Sequence, residues 1–271
     1  MAKKKTNEVA KNQKCDLAKL DYGDDAGCGF EGTTNDDFSI PFLSMFQGLS
    51  PQVAGENPLD GAKVGMLFNT VTEEMWDGKE GLIFVPSCRD HCYMEWVPRS
   101  QGGGYVGRHE LGSEVVVTAK RESTDRKLKS PSGNDLVETF YMYGVIVMGE
   151  DVDPSPVVIS FTSTKIRAYR TMMTKLNQVT VGPRDKKKKP PLFAHQIRIT
   201  TVMEKNNKGT YANFRFDPAF GTILESLLDP SSPVFTIAKG LSDMVQEGQA
   251  KINYDSADSA GSDEEKEEPP F

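Results

Sequence analysis

Residues 157–217 interleave cations and aromatic rings in a way that suits a polyanion carrying flat bases. Lys165, Arg167, Arg170 and Lys175 come first, then Lys186, Lys187, Lys188 and Lys189, then Arg198, Lys205, Lys208 and Arg215. Only Asp185 and Glu204 oppose them before Asp217. Phe161, Tyr169, Phe193, Tyr211, Phe214 and Phe216 are spread among them. A groove for a single strand needs cations that follow the phosphates and rings on which bases stack, each stack contributing roughly 1–3 kcal/mol. Phe161, Tyr169 and Phe216 are expected in the core. Tyr211 has opposite parity to Phe214 and Phe216, so the two sets face opposite sides of a strand, one towards the core and one available to a groove. Phe193, Tyr211 and Phe214 are kept as candidate contacts beside the cations.

A second cluster joins Trp96, Arg99 and Tyr105 around the glycines at 102–104. It matches neither G-x-x-x-x-G-K-S/T nor a G-x-G-x-x-G between strand and helix, so a phosphate cradle is not indicated. It suits the flexible rim of a groove.

The elements that must position these residues follow from periodicity. An alternating run at 157–161 predicts a strand. In residues 164–178 the apolar positions Ile166, Tyr169, Met172, Met173 and Leu176 recur every three or four residues, with the cations largely off that stripe, which predicts an amphipathic helix. A basic loop at 184–191 leads to a strand at 192–203. Glu204-Lys205-Asn206-Asn207-Lys208-Gly209 then reads as a hairpin turn before a strand at 210–216. Strand, helix, strand, turn, strand is the second half of a five-stranded OB barrel, whose helix sits between strands 3 and 4. The fold class expected is therefore mainly β with α elaborations.

Upstream, residues 82–85 and 91–97 read as one long strand interrupted near Pro86. Residues 64–70 predict a short strand and 136–148 another, with Gly144 at a barrel corner. Residues 110–121 suit a helix, although Val115-Val116-Val117 suits a strand equally. Residues 38–49, apolar around Pro41, are expected as a clamp packed on the core, with an oligomer contact as the alternative. Downstream, 219–228 and 234–249 predict helices.

Cys88-Arg89-Asp90-His91-Cys92 invites a zinc reading, but two thiols and one imidazole at this spacing are tight for a tetrahedral site and no second pair stands nearby. No H-E-x-x-H, carboxylate pair or Ser/His/Asp set stands out, so no catalysis, metal or cofactor is expected.

The net charge of −7 is concentrated at one end. Residues 255–271 hold seven acids and one lysine, a net of −6, which leaves −1 for the rest. The expected organisation is a basic disordered arm at 1–20, one domain at 21–252 and a disordered acidic tail at 253–271. The tail closes on Glu267, Glu268, Pro269, Pro270 and Phe271, an apolar anchor beside a carboxylate of the kind partner proteins dock. It could also compete with nucleic acid for a basic groove. Mean hydropathy of −0.47 and short apolar runs leave no membrane span, and the start of the sequence has no secretory pattern. Four cysteines without a disulfide pattern suit a reducing compartment, the host cell cytoplasm.

The order of elements over 157–217, the Lys208-Gly209-Thr210-Tyr211 run into the last strand, and the tail ending Glu267-Glu268-Pro269-Pro270-Phe271 resemble the bacteriophage single-stranded DNA-binding proteins. That resemblance covers about the C-terminal half. It implies an OB core that coats and protects single-stranded DNA in replication and recombination, cooperatively and without sequence preference. It also implies recruitment of replication proteins such as a DNA polymerase through the tail, and it admits a homodimer. The rival expectations are a phage structural or scaffold protein that does not bind DNA, and a zinc or thiol enzyme built on Cys88, His91 and Cys92.

Overall fold

The computed structural model describes residues 21–33, 39–55, 58–124, 127–149, 153–207 and 209–249. The arm expected at 1–20, Lys208 and the acidic tail lie outside the described residues. The chain is mainly β with a few helices, as its patterning predicts. Its backbone is the long strand β4 (Leu82–Trp96), which pairs antiparallel with β7 (Asp135–Val147) along nearly its whole length. The other face of that ribbon's edge carries β8 (Ser155–Thr162), paired to β7. At its start β4 also pairs with β9 (Ile197–Asn206), which forms a hairpin with β10 (Gly209–Pro218). The helix α3 (Lys165–Asn177) connects β8 to β9. Two short strands, β5 (Tyr105–Glu110) and β6 (Leu128–Lys129), extend the far ends of β4 and β7 and complete a seven-stranded sheet.

Pro86 interrupts β4 as expected. The register slips between Pro86 and Cys88, leaving Ser87 as the extra residue of a bulge. Gly144 faces Pro86 across this bend. A Cβ there would overlap the Phe84 ring and the Val85 carbonyl, so only glycine lets the strands close at the corner.

The inner face of the sheet packs Leu82, Phe84, Met142, Ile159, Phe161, Ile199, Phe214 and Phe216 against Tyr169, Met172 and Leu176 of α3. The closed five-stranded barrel expected from the sequence is not what the sheet forms: it is open. Among the described residues no ladder joins β8 to β10. Residues 40–47 fill that seam. Val158 of β8 donates its N–H to the Pro41 carbonyl (2.9 Å), and the Gln47 amide bonds both the carbonyl and the N–H of Ala212 in β10 (2.9 and 2.8 Å). Phe42, Leu43, Met45 and Phe46 are buried, so this segment is the clamp its composition suggests. It continues as β1 (Leu43–Met45) of a three-stranded sheet with β2 (Leu67–Asn69) and β3 (Met75–Trp76).

The outer face of β4 and β7 is covered as well. Tyr141, Tyr143 and Val158 pack under Phe42, while Val85 and Val145 pack under Ala238 and Leu241 of a helix (Pro233–Gln246) that we number after α1 (Pro51–Ala54), α2 (Glu114–Glu122) and α3 as α4. The second helix predicted nearby, at 219–228, does not form. Its backbone bonds go elsewhere: Gln196 N–H donates to Ser226 O, Leu228 N–H to Ala194 O, and the segment is folded into turns around the Ser226 hydroxyl. Pairing with residues 194–196 outweighs a local helical preference.

Between β4 and β7 the insertion is tied to the sheet by one buried carboxylate. Glu95 accepts from Ser130 Oγ (2.7 Å) and Asn134 Nδ2 (2.8 Å) and lies 2.6 Å from His109 Nε2. Burial alone would raise its pKa, but these three hydrogen bonds outweigh it and hold the carboxyl below its ordinary value. Such a group stabilises the fold above its unfolded pKa, and that contribution disappears as pH falls through the folded one. Glu95→Gln is therefore expected to lose about 1–3 kcal/mol in urea unfolding at pH 7, with the gap to wild type closing at acid pH. An equal gap at pH 7 and pH 3.5 would show that the charge is not what matters.

Candidate nucleic-acid interface

The helix α3 exists because its apolar stripe has a core to meet: Tyr169 lies against Phe140 and Phe161 at ring separations of 4.7 and 5.1 Å. Burying that stripe turns the cations outward. From Ser163 to Lys189 there are nine basic side chains and one acid, a net of +8. The loop after α3 is a defined turn. Val181 and Lys188 exchange two backbone hydrogen bonds (2.8 and 2.9 Å), Lys186 N–H reaches Pro183 O, and Lys189 Nζ donates to Asn177 Oδ1 (2.7 Å) at the end of α3. Lys186, Lys187, Lys188 and Lys189 are thereby held beside the helix and exposed.

Two hollows flank α3. The first, about 590 Å³, lies along Ile166, Arg167, Arg170, Thr171, Thr174 and Lys175, with Glu138 and Ser163 at its edge. Ser163 takes a φ of +46°, a turn rarely used by serine, to swing the chain from β8 into the helix. Arg170 sits over the Phe140 ring at 5.6 Å and 3.7 Å from Glu138, which also meets His91 at 3.1 Å. Arg167 has no carboxylate partner among the described residues.

The second hollow, about 440 Å³, opens between β4, the C-terminal half of α3, residues 189–195 and α4. Arg89 and Lys189 provide its cations, and Met173, Leu176, Leu192 and Phe193 its apolar wall. Ser87 Oγ and His195 Nδ1 are buried there without any hydrogen-bond partner, on residues 2% and 3% exposed. Each such group costs about 1–3 kcal/mol if left unpaired. Burial lowers the His195 pKa and keeps the imidazole neutral.

Sequence reasoning located part of this surface. Arg167, Arg170, Lys189 and Phe193 line the hollows, and Lys186 to Lys188 project from the adjoining turn. Lys165 is half-buried in the first turn of α3. Phe214 is corrected: at 3% exposed it belongs to the core, stacked with Phe216 and beside Phe161, and no base can reach it. Tyr211, of opposite parity, faces outward and donates to Glu204 Oε2 (2.9 Å). Arg198 donates to the Glu80 carbonyl, and Lys205 is exposed near the hairpin tip. Trp96 and Tyr105 meet edge to face at 5.6 Å and are half-buried on the outer core, while Arg99 is exposed in the short turn beyond them. None of these lines either hollow. Arg89, Ser87 and His195 were missed. The break at Pro86 was the signal for Ser87, while Arg89 stood inside the Cys88–Cys92 run and was read only as part of it.

That motif divides between environments. Cys88 lies at the second hollow, where burial pushes its thiol up to about 12 against a hydrogen bond with Ser242. Cys92 is buried in the outer core and pushed up to about 11. Both are thiols at neutral pH, which makes them poor nucleophiles. Among the described residues no three metal-ligating groups converge, and no helix is long and apolar enough to cross a membrane.

A family model described as Pam3 phage gp34-like protein matches residues 8–251, nine-tenths of the chain. No curated protein matches, and no solved structure matches.

Proposed function

The chain belongs to the Pam3 phage gp34-like family, and for this bacteriophage protein we propose that the α3 face binds single-stranded DNA, coating it without sequence preference. The observation that carries the reading is the +8 stretch from Ser163 to Lys189, pinned in one place by the Val181–Lys188 bridge and flanked by two hollows. Cations held in fixed positions release counterions from a bound strand, which gives sequence-independent affinity.

The topology supports the same reading. With β4 taken as the first strand, the order β8-β7-β4-β9-β10 and a helix between the third and fourth strands are compatible with an opened OB arrangement. We read the sheet as an open, OB-like sheet whose unlaced β8–β10 seam is covered by residues 40–47. OB folds receive oligonucleotides on the outer face of strands 2 and 3. Here α4 and Phe42 cover the corresponding face, so the strand is assigned to the helix side. Among the described residues Phe193 is the one phenyl ring on the two hollows, so affinity is assigned mainly to charge and only secondarily to stacking.

The test is fluorescence anisotropy of labelled oligothymidine, beside a duplex of equal length, across a salt series. Expected are binding to the single strand that weakens steeply with salt and weaker binding to the duplex. No single-strand binding at low salt overturns the proposal and favours a phage structural protein, for which light scattering would then report assembly. The acidic tail is assigned to partner recruitment and groove competition. Truncation after Tyr254 is accordingly expected to tighten oligothymidine binding in the same assay, and unchanged affinity removes the competition.

A further inference from the structure

We propose that the hollow between β4, α3, residues 189–195 and α4 is a subsite for one nucleotide unit, with its phosphate at Arg89 and Lys189 and its base along Leu192 and Phe193. The inference deepens the single-strand reading above and rests on it only for the source of the nucleotide.

Four observations converge on this place. Arg89 lies on the wall of the hollow, two residues past the Ser87 bulge of β4, and has no carboxylate partner among the described residues. Lys189 is oriented by Asn177 and likewise lacks a carboxylate. Two cations without acidic partners at one concavity form an anion site. Ser87 Oγ and His195 Nδ1 supply neutral hydrogen-bonding capacity that the protein itself leaves unused. Buried polar groups are nearly always paired, so two unpaired ones on one hollow mark a ligand position. The opposite wall is apolar: Leu176, Leu192 and Phe193, the last steadied edge to face by Phe235 at 5.1 Å. A volume of about 440 Å³ is within the usual range for small-ligand sites. Phosphate oxygens match the polar end, and a planar base matches the other.

Two features distinguish this hollow from the first. Arg170 in the first is shared with Glu138, which would oppose a phosphate there. The second has no carboxylate on its wall among the described residues. The neutral His195 imidazole offers one donor and one acceptor, enough for a phosphate oxygen or a base edge.

Isothermal titration of the full chain with dTMP, thymidine and inorganic phosphate tests the proposal. Expected is binding of dTMP that exceeds either half-ligand, weakened about tenfold or more in Arg89→Gln and in Lys189→Gln, the scale of one lost charge-assisted hydrogen bond. Melting curves of the two variants without ligand establish that they fold. No heat with dTMP at millimolar concentration, or full dTMP affinity in both folded variants, overturns the subsite. Competition identifies the source: oligothymidine that displaces dTMP places a strand's nucleotide in the hollow, and oligothymidine that binds without displacing it assigns the hollow to a free nucleotide. Retained dTMP binding by a protein that ignores oligothymidine would remove the single-strand reading and leave the subsite standing.

Discussion

Alanine at Lys186, Lys187, Lys188 and Lys189 together is expected to lower the salt slope of oligothymidine binding by about 3 and to weaken binding near 0.1 M salt by about 10²–10³-fold. Each single-strand phosphate neutralised contributes roughly 0.7 to that slope, and four lysines therefore account for most of this drop. The turn should survive the change, because the Val181–Lys188 bridge is made of backbone groups. Lys205→Ala is the control: it removes an exposed cation that lines neither hollow and should move the slope little. A quadruple variant with the wild-type slope would mean that the lysines are only solvated. The phosphate path would then have to rest on Arg167, Arg170 and Lys175.

The largest loss of stability is expected from Phe161→Ala, about 3–5 kcal/mol, the range for deleting a buried phenyl ring. Phe161 is fully buried and touches Tyr169, Phe214 and Phe216 at ring separations of 5.1 to 5.9 Å. It stands where β8 and β10 face each other without a hydrogen-bond ladder, so packing supplies what backbone bonding does not. A domain of ordinary stability has only about 5–15 kcal/mol in total. Urea unfolding of Phe161→Ala should consequently show a midpoint moved far down, or a chain unfolded in buffer. A loss below about 1 kcal/mol would mean that the seam relaxes and refills the space.

What the sequence made legible was local. The α3 stripe, the hairpin and the break at Pro86 each depend on residues within a few positions; α3 formed within one residue of its expected limits, whereas the first hairpin strand starts at Ile197 instead of 192 and runs to Asn206 instead of 203. The seam was not legible, because it depends on Gln47 meeting Ala212 across 165 residues of chain. The helix expected at 219–228 failed for a related reason: its backbone found partners at 194–196 that no periodicity reveals. Parity correctly separated Tyr211 from Phe214, but it could not say which faced inward until β10 paired with β9 and met α3. For the interface, charge density located the α3 face. The convergence of Arg89 and His195 on one hollow was invisible, since one enters from β4 and the other from a segment that precedes β9.

The clamp at residues 40–47 also imposes an order on synthesis. This segment leaves the ribosome before its partner Ala212, which follows 165 residues later. At ordinary elongation rates of about 5–20 residues per second, that interval is roughly 10–30 s. Throughout it the growing chain carries Phe42, Phe46 and later Phe161 with no finished core to bury them. The seam is therefore completed only once β10 has been made.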